Sequence, residues 1–193
     1  MIIKKYRYFF SFLDSQQKWL NDMARKGYRL INVKKLLYEF ETFNPDEYEY
    51  CVEFVADKSY KQICEYRDFL ESIGYKTFTK NINLNYSFGK IRLRLFSRGR
   101  GKIAASPGGF NKELLILEKK RDGKPFNIHS SYDDLIKYYT PIRNMYLQTL
   151  ILDLILIIYW KWISLIIALI LIIPIFKYSA IIKNYKELGR TNE

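Results

Sequence analysis

Hydrophobic and polar positions alternate with two different periods along the first eighty residues. Lys4 to Phe10 alternates as a strand does, and Asp14 then opens a helix, with Gln17 three residues on completing a capping box. Trp19, Leu20, Met23 and Ala24 fall on one side of that helix. Gly27 ends it, and Tyr28 opens a long strand to about Thr42. Asn44-Pro45-Asp46 is turn chemistry, and Tyr48 to Phe54 follows a nearly strict period of two. Ser59 and Gln62 form a second capping box, and Ile63, Tyr66, Phe69, Leu70 and Ile73 line one face of a second helix. Gly74 ends this helix and Tyr75 opens another strand.

The pattern is a duplication in outline. The first helix closes Met-Ala-Arg-Lys-Gly-Tyr-Arg and the second Leu-Glu-Ser-Ile-Gly-Tyr-Lys. Glycine at both exits suits a helix C-cap, because it accepts a left-handed backbone without penalty. The order βαββαβ predicts an α+β, ferredoxin-like module over residues 1–81, with helices on one face of an antiparallel sheet.

Residues 82–130 read as a basic extension packed on that module. Ile91-Arg92-Leu93-Arg94-Leu95-Phe96 alternates apolar and basic, so a strand there shows a row of cations. Segments 97–102 and 106–109 read as loop, and Leu114 to Leu117 resumes as a strand. Asp122-Gly123 is a hairpin signal, with Phe126 to His129 as a returning strand. Ser131 with Asp134 caps a short juxtamembrane helix over 131–140.

From Met145 to Phe176 the chain is almost wholly apolar for 32 residues. One straight helix of that length would measure about 48 Å, well beyond a hydrocarbon core of about 30 Å. Tyr159-Trp160-Lys161-Trp162 interrupts the run as an interfacial turn would. The expectation is a transmembrane helical hairpin over 141–182, with helices 141–159 and 162–182 and a tail at 183–193. Thr140 and Pro141 suit the start of its first helix, and Pro174 a kink in the second. Lys137, Arg143, Lys177, Lys183, Lys186 and Arg190 flank one end and Lys161 alone the other, so the positive-inside rule places both termini in the cytoplasm. The start of the chain does not read as a secretory signal. Inside the first span, Gln148 and Asp153 are intramembrane polar candidates, either for a polar path in an oligomer or for helix-packing hydrogen bonds.

Composition sharpens this picture. Of 193 residues, 49% are apolar and 17% aromatic, which excludes wholesale disorder. The net charge of +12 is unevenly spread: residues 1–75 carry 12 basic and 12 acidic side chains, and residues 76–124 carry 13 and 3. Such a stretch beside an anionic leaflet suits lipid docking through Arg92, Arg94, Arg98, Arg100 and Lys102.

Catalytic constellations do not emerge. His129 is the only histidine, beside Ser130 and Ser131 in sequence alone. Cys51 and Cys64 lack metal-ligand spacing and read as reduced, packed thiols. Glu47, Glu49 and Glu53 share a strand face with Cys51, read as a solvated face rather than a metal site. Gly99-Arg100-Gly101-Lys102 fails as a phosphate loop, with Phe96 where a glycine is required and no Ser or Thr after Lys102. Nucleic-acid binding is disfavoured, since the Tyr48–Tyr50 strand is acidic and lacks the glycine of RNA-recognition strands.

The stretch Trp19-Leu20-Asn21-Asp22-Met23-Ala24-Arg25-Lys26-Gly27-Tyr28-Arg29-Leu30 fits W-L-N-x-M-A-x-x-G-[WY]-x-L. With the later Gly74-Tyr75 pair, it resembles a bacterial family of unknown function catalogued as DUF2812. The resemblance covers roughly residues 4–80 and implies a small cytoplasmic domain joined to transmembrane helices, with Trp19, Leu20, Asn21, Met23, Gly27, Tyr28, Gly74 and Tyr75 in structural roles. The expected protein is a non-enzymatic, multi-pass sensor or adaptor of the bacterial cell membrane, without cofactor or metal. Its partners would be anionic lipids and a membrane protein or second copy. The alternative is an accessory transporter subunit using Asp153 and Gln148.

Overall fold

A computed structural model describes residues 1–9, 13–34, 36–55, 58, 60–80, 86–88, 91–93, 103–104, 114–126, 128–129, 131–158 and 161–191. The chain forms two compact units, Met1–Asn127 and Ile128–Glu193. In the first unit the elements run β1 Ile2–Tyr6, α1 Leu13–Arg25, β2 Tyr28–Val33, β3 Leu37–Thr42, β4 Tyr48–Phe54, α2 Tyr60–Ser72, β5 Lys76–Lys80, β6 Tyr86–Phe88, β7 Ile91–Leu93, β8 Ile103–Ala104 and β9 Leu114–Lys120. The strands form three antiparallel three-stranded sheets, ordered β1-β3-β2, β4-β9-β5 and β6-β7-β8.

The ferredoxin-like expectation is corrected by this pairing. Instead of one sheet built βαββαβ, the chain repeats a βαββ unit twice. In each repeat two parallel strands joined by a helix flank an antiparallel third, as in a split βαβ unit. The correspondence is close: α1 and α2 are both 13 residues long, 47 positions apart, and Gly27 and Gly74 share that spacing. Glu41 on β3 faces Ile2 and Arg29, and Glu118 on β9 faces Tyr50 and Lys76 in the same registers. The long strand expected over 28–42 is two strands, turned where Lys34 N–H donates to Leu37 O at 2.8 Å. The second repeat carries residues 81–113 in place of that turn. The strand at Leu114 is therefore the centre of the second sheet rather than an extension packed on a finished module.

Burial explains that placement. Leu114, Leu115, Ile116 and Leu117 are all buried, so β9 is covered on both faces, as a strand of continuous apolar residues should be. Trp19 builds a second cluster at 4.9 Å from the Tyr38 ring and 5.6 Å from Phe40, with Leu20, Met23 and Ala24 buried along α1. The apolar face read on α2 is narrower than expected: Ile63 and Leu70 are buried, but Phe69 and Ile73 are exposed.

The repeats are joined by an amide clamp. Asn21 Oδ1 accepts from Tyr50 N–H at 2.9 Å and its Nδ2 donates to Tyr50 O at 2.8 Å. One turn earlier, Gln17 Oε1 accepts from Val52 N–H at 2.9 Å. Two side chains four residues apart on a helix thus occupy the free edge of β4 as a neighbouring strand would. Gln17 serves this edge, and α1 begins at Leu13, one residue before the cap expected at Asp14. Gly27 (φ +80°) lets the chain leave α1 with its N–H on Ala24 O, while Phe43 N–H donates to Gly27 O at 2.8 Å.

The second unit is an antiparallel helix pair, α3 Tyr132–Leu156 and α4 Lys161–Thr191. Ser131 caps α3, its Oγ accepting from Asp134 N–H at 3.1 Å. The juxtamembrane helix expected to stop at 140 does not stop. Pro141 lies inside α3, because proline removes one hydrogen bond while the buried face continues through Ile142, Met145, Tyr146 and Thr149. On α4, buried Ser164, Leu171 and Tyr178 recur every seven residues, the spacing of a coiled-coil seam. The separate tail at 183–193 is corrected likewise, since α4 runs through to Thr191. The return strand expected over 126–129 is absent among the described residues, although the turn is present, with Asp122 Oδ1 accepting from Lys124 N–H.

Asn21→Ala should lower stability by about 1–3 kcal/mol, because it strands both main-chain groups of Tyr50. Gly27→Ala should cost more than Gly74→Ala: the added Cβ meets Phe43 O at 2.9 Å in the first case and nothing within 4 Å in the second. Denaturant melts of the detergent-solubilised chain, followed by near-ultraviolet circular dichroism, measure both.

Candidate functional site

The first unit holds a buried polar centre where the repeats meet. Period two places Glu118 on the same face of β9 as Leu114 and Ile116, directly opposite Tyr50 on β4. Its carboxylate is buried, 2% exposed. Tyr50 Oη donates to Glu118 Oε2 at 2.8 Å and accepts from Leu30 N–H at 2.8 Å, while Arg29 donates to Glu118 Oε1 through Nε at 3.1 Å and a terminal nitrogen at 2.8 Å. The guanidinium lies over the Tyr48 ring at 4.1 Å and the Phe43 ring at 5.4 Å, with Glu41 3.8 Å away. Burial, with the charge of Glu118 second, pushes the Tyr50 phenol well above its ordinary range. The hydrogen bond to Glu118 leads the effects that hold Arg29 above its usual value. The phenol therefore stays protonated, and the centre is a satisfied ion pair with a bridging donor rather than an acid–base couple.

Glu47, Glu49 and Glu53, expected on a solvated face, are engaged with neighbours or buried. Glu49 pairs with Lys119 at 3.1 Å, Glu47 reaches Lys120 at 3.6 Å, and Glu53 is buried. Tyr66 of α2 lies near Glu53 and Cys51, its phenol pushed up by burial first and by their charges next. Among the described residues, no group of three His, Cys, Asp or Glu side chains is placed to hold a metal. Cys51 is buried and Cys64 half-buried, neither in a disulfide. Burial, then Glu53 and Glu49, pushes the Cys51 thiol up to about 12. His129 packs on Tyr138 at 4.4 Å, and the Ser131 hydroxyl is engaged as the α3 cap.

In the second unit, Thr149 and Asp153 lie one turn apart on the buried face of α3, and Ser164 faces them from α4. Ser164 Oγ donates to the main-chain oxygen of Asp153 at 2.9 Å, and Thr149 Oγ1 to Met145 O at 2.9 Å. Asp153 is 6% exposed, and its Oδ2 has no hydrogen-bond partner among the described residues. Gln148 is exposed, so the structure does not bring the two intramembrane candidates together. Five steps along a helix turn a side chain by about 500°, onto a different face. Thr149 and Ser164 are the polar companions that the sequence reading missed, and the i, i+4 spacing to Asp153 was the signal for the first of them.

Toward the open end of the pair the rings of Tyr146, Tyr178, Tyr139, Tyr185 and Tyr132 form a ladder, with successive centroids 5.8 to 6.2 Å apart. Toward the α3–α4 turn the surface is apolar: Ile155, Ile158, Trp162, Ile166, Ile173 and Phe176 are exposed. By length and composition α4 can cross a membrane, the one helix among the described residues to do so. Of the two spans expected, α4 meets that criterion, and α3, with a polar first half and Asp153, does not. Of the proposed lipid-docking residues, the backbone of Arg92 lies in β7, while Arg94, Arg98, Arg100 and Lys102 lie outside the described residues.

Comparison with known proteins adds three findings. The family model described as "Protein of unknown function (DUF2812)" matches residues 12–151. An arginine–tRNA ligase of Saccharolobus solfataricus is 28% identical over 113 residues, 58% of this chain and 18% of the ligase, so the chain spans less than a fifth of that relative. No solved structure matches the chain.

Glu118→Ala should destabilise the first unit by about 3–5 kcal/mol, since it leaves Arg29 and the Tyr50 hydroxyl without their acceptor. Glu118→Gln should cost less. Denaturant melts separate them. At pH 8, Cys64 should react with iodoacetamide first, and Cys51 only as the chain unfolds, because the thiolate is the reactive form. Peptide mapping against time reads the order.

Proposed function

The chain belongs to the DUF2812 family of proteins of unknown function, and on that premise we propose that it is a non-enzymatic sensor or adaptor anchored in the bacterial cell membrane. The α3–α4 hairpin would insert as two spans with both termini cytoplasmic, and the first unit would work at the membrane surface. One observation carries the reading: the exposed apolar surface on the hairpin lies between an open end where cations outnumber Asp133, Asp134 and Glu187 and a turn that carries Lys161. Arg143, Lys177, Lys183, Lys186 and Arg190 lie toward the open end and Lys161 at the turn, the asymmetry expected of a hairpin inserted from the cytoplasm. A soluble protein rarely leaves so large an apolar patch open.

The sensor or adaptor role is supported by how the polar residues of the first unit are used. Asn21, Gln17, Tyr50, Arg29 and Glu118 hold the repeats together, which favours recognition by surface rather than chemistry in a pocket. The basic stretch from 76 to 124 would dock on anionic lipid, each cation near the surface contributing about 1 kcal/mol. A membrane-protein partner or second copy would receive the signal.

The transporter-subunit alternative draws on one observation, the buried Asp153 carboxylate with an oxygen unpartnered among the described residues. Buried ionisable groups in membranes mark ion or proton routes or polar packing. Asp153→Asn preserves the shape and removes the charge. Retained assembly with lost flux would favour transport, and loss of neither would remove it.

The membrane reading is tested by single cysteines in a Cys51→Ala, Cys64→Ala background. Lys161→Cys in intact cells should react with a membrane-impermeant maleimide applied outside, and Lys183→Cys only after permeabilisation. Labelling of both from outside, or recovery of the chain in the soluble fraction, would overturn it. Purification in gentle detergent with mass spectrometry tests the adaptor role. A stoichiometric membrane or regulatory protein is expected, and a chain that emerges with lipid alone counts against it.

A further inference from the structure

The two repeats treat the same strand edge differently. β1 corresponds to β4, with Ile2 in the place of Tyr50 and Lys4 in that of Val52, as their shared registers to Glu41 and Glu118 require. On β4 the outward main-chain groups at those two positions are taken by Asn21 and Gln17. On β1 the phase is set by Arg7 N–H, which donates to Leu36 O at 2.9 Å. Antiparallel pairing alternates, so Ile3, Lys5 and Arg7 turn their main chain toward β3, and Ile2, Lys4 and Tyr6 turn theirs outward. Among the described residues β1 has β3 on one side and no strand on the other. The edge is also apolar and cationic at once. Ile2 is 63% and Tyr6 75% exposed, Lys5 and Arg7 are exposed, and the Lys4 side chain stays 61% exposed although it reaches Glu39 at 3.7 Å.

We propose that the β1 edge is a docking edge for an extended acidic segment of a partner protein, which adds to the β1-β3-β2 sheet as a fourth strand. The main chain of Ile2, Lys4 and Tyr6 would supply the ladder, apolar side chains of the incoming strand would cover Ile2 and Tyr6 on one face, and its carboxylates would face Lys5 and Arg7 on the other. Charge decides against a second copy as the occupant. Two β1 strands paired antiparallel across a two-fold axis at Lys4 would set Lys4 against Lys4, the arrangement by which edge lysines prevent self-association. This inference stands apart from the membrane reading, since it concerns only the first unit.

The test uses the full chain in nanodiscs of neutral lipid, with a fluorescein-labelled decapeptide alternating Glu and Val as the probe. Fluorescence anisotropy should show saturable binding, about tenfold weaker for the Lys–Val counterpart. Lys4→Pro deletes an outward N–H, and Lys5→Glu reverses a facing charge while leaving the backbone intact. Each should weaken binding by about tenfold with the near-ultraviolet circular dichroism unchanged. No binding, equal binding of the two peptides, or binding indifferent to both variants would overturn the proposal. A dimer in sedimentation that Lys4→Pro abolishes would assign the edge to a second copy instead.

Discussion

The first unit depends on the side-chain amide of Asn21. A strand buried on both faces still has two edges, and main-chain groups withdrawn from water at an edge must find partners. β4 has β9 on one side, and on the other Asn21 satisfies both groups of Tyr50 while Gln17 takes Val52 N–H. These bonds are directional, so they set the register of α1 on β4 where apolar contact alone would tolerate sliding. With that register fixed, Tyr50 reaches Leu30 N–H and Glu118 together, and Arg29 arrives from the first repeat to neutralise the buried carboxylate. The repeats are joined by a polar network with an apolar surround.

That junction frees the rest of the second repeat to vary. Residues 81–113 stand where the first repeat has a tight turn, and they carry seven basic side chains against one acidic, half of the chain's net charge of +12. Loop closure becomes costlier only slowly with length, so a long insertion at a hairpin position need not disturb the sheet around it. The two helices of the second unit meet a different requirement. Their seam is built from tyrosine rings toward the open end and from Thr149, Asp153 and Ser164 toward the turn. It keeps polar atoms inside and leaves aliphatic side chains outside, an arrangement that suits lipid as the surrounding solvent.

Local signals were legible wherever neighbours in sequence decide the structure. The helix exits at Gly27 and Gly74, the Ser131 cap on Asp134, the strand Tyr48–Phe54 and the doubling of the helix–Gly-Tyr–strand unit follow from periodicity and capping, which act over a few residues. The turn at Lys34 was missed because it has no Gly, Pro or Asn to mark it. Pro141 misled in the other direction: a residue that breaks isolated helices is tolerated once the faces on either side of it pack on α4.

The sequence by itself determined that the chain is an α+β unit followed by a hydrophobic helical pair, that a helix–strand motif is duplicated, and that positive charge gathers between residues 76 and 124. Only the tertiary structure decided which strands pair. β9 enters between β4 and β5 from beyond the insertion, and no local pattern encodes which distant strand fills a gap. Tertiary structure also decided what Asn21 and Glu118 do. Asn21 stands out in sequence only as part of the family motif, and Glu118 not at all; each acquires its role because burial removes water and leaves hydrogen-bonding groups that another part of the chain must satisfy.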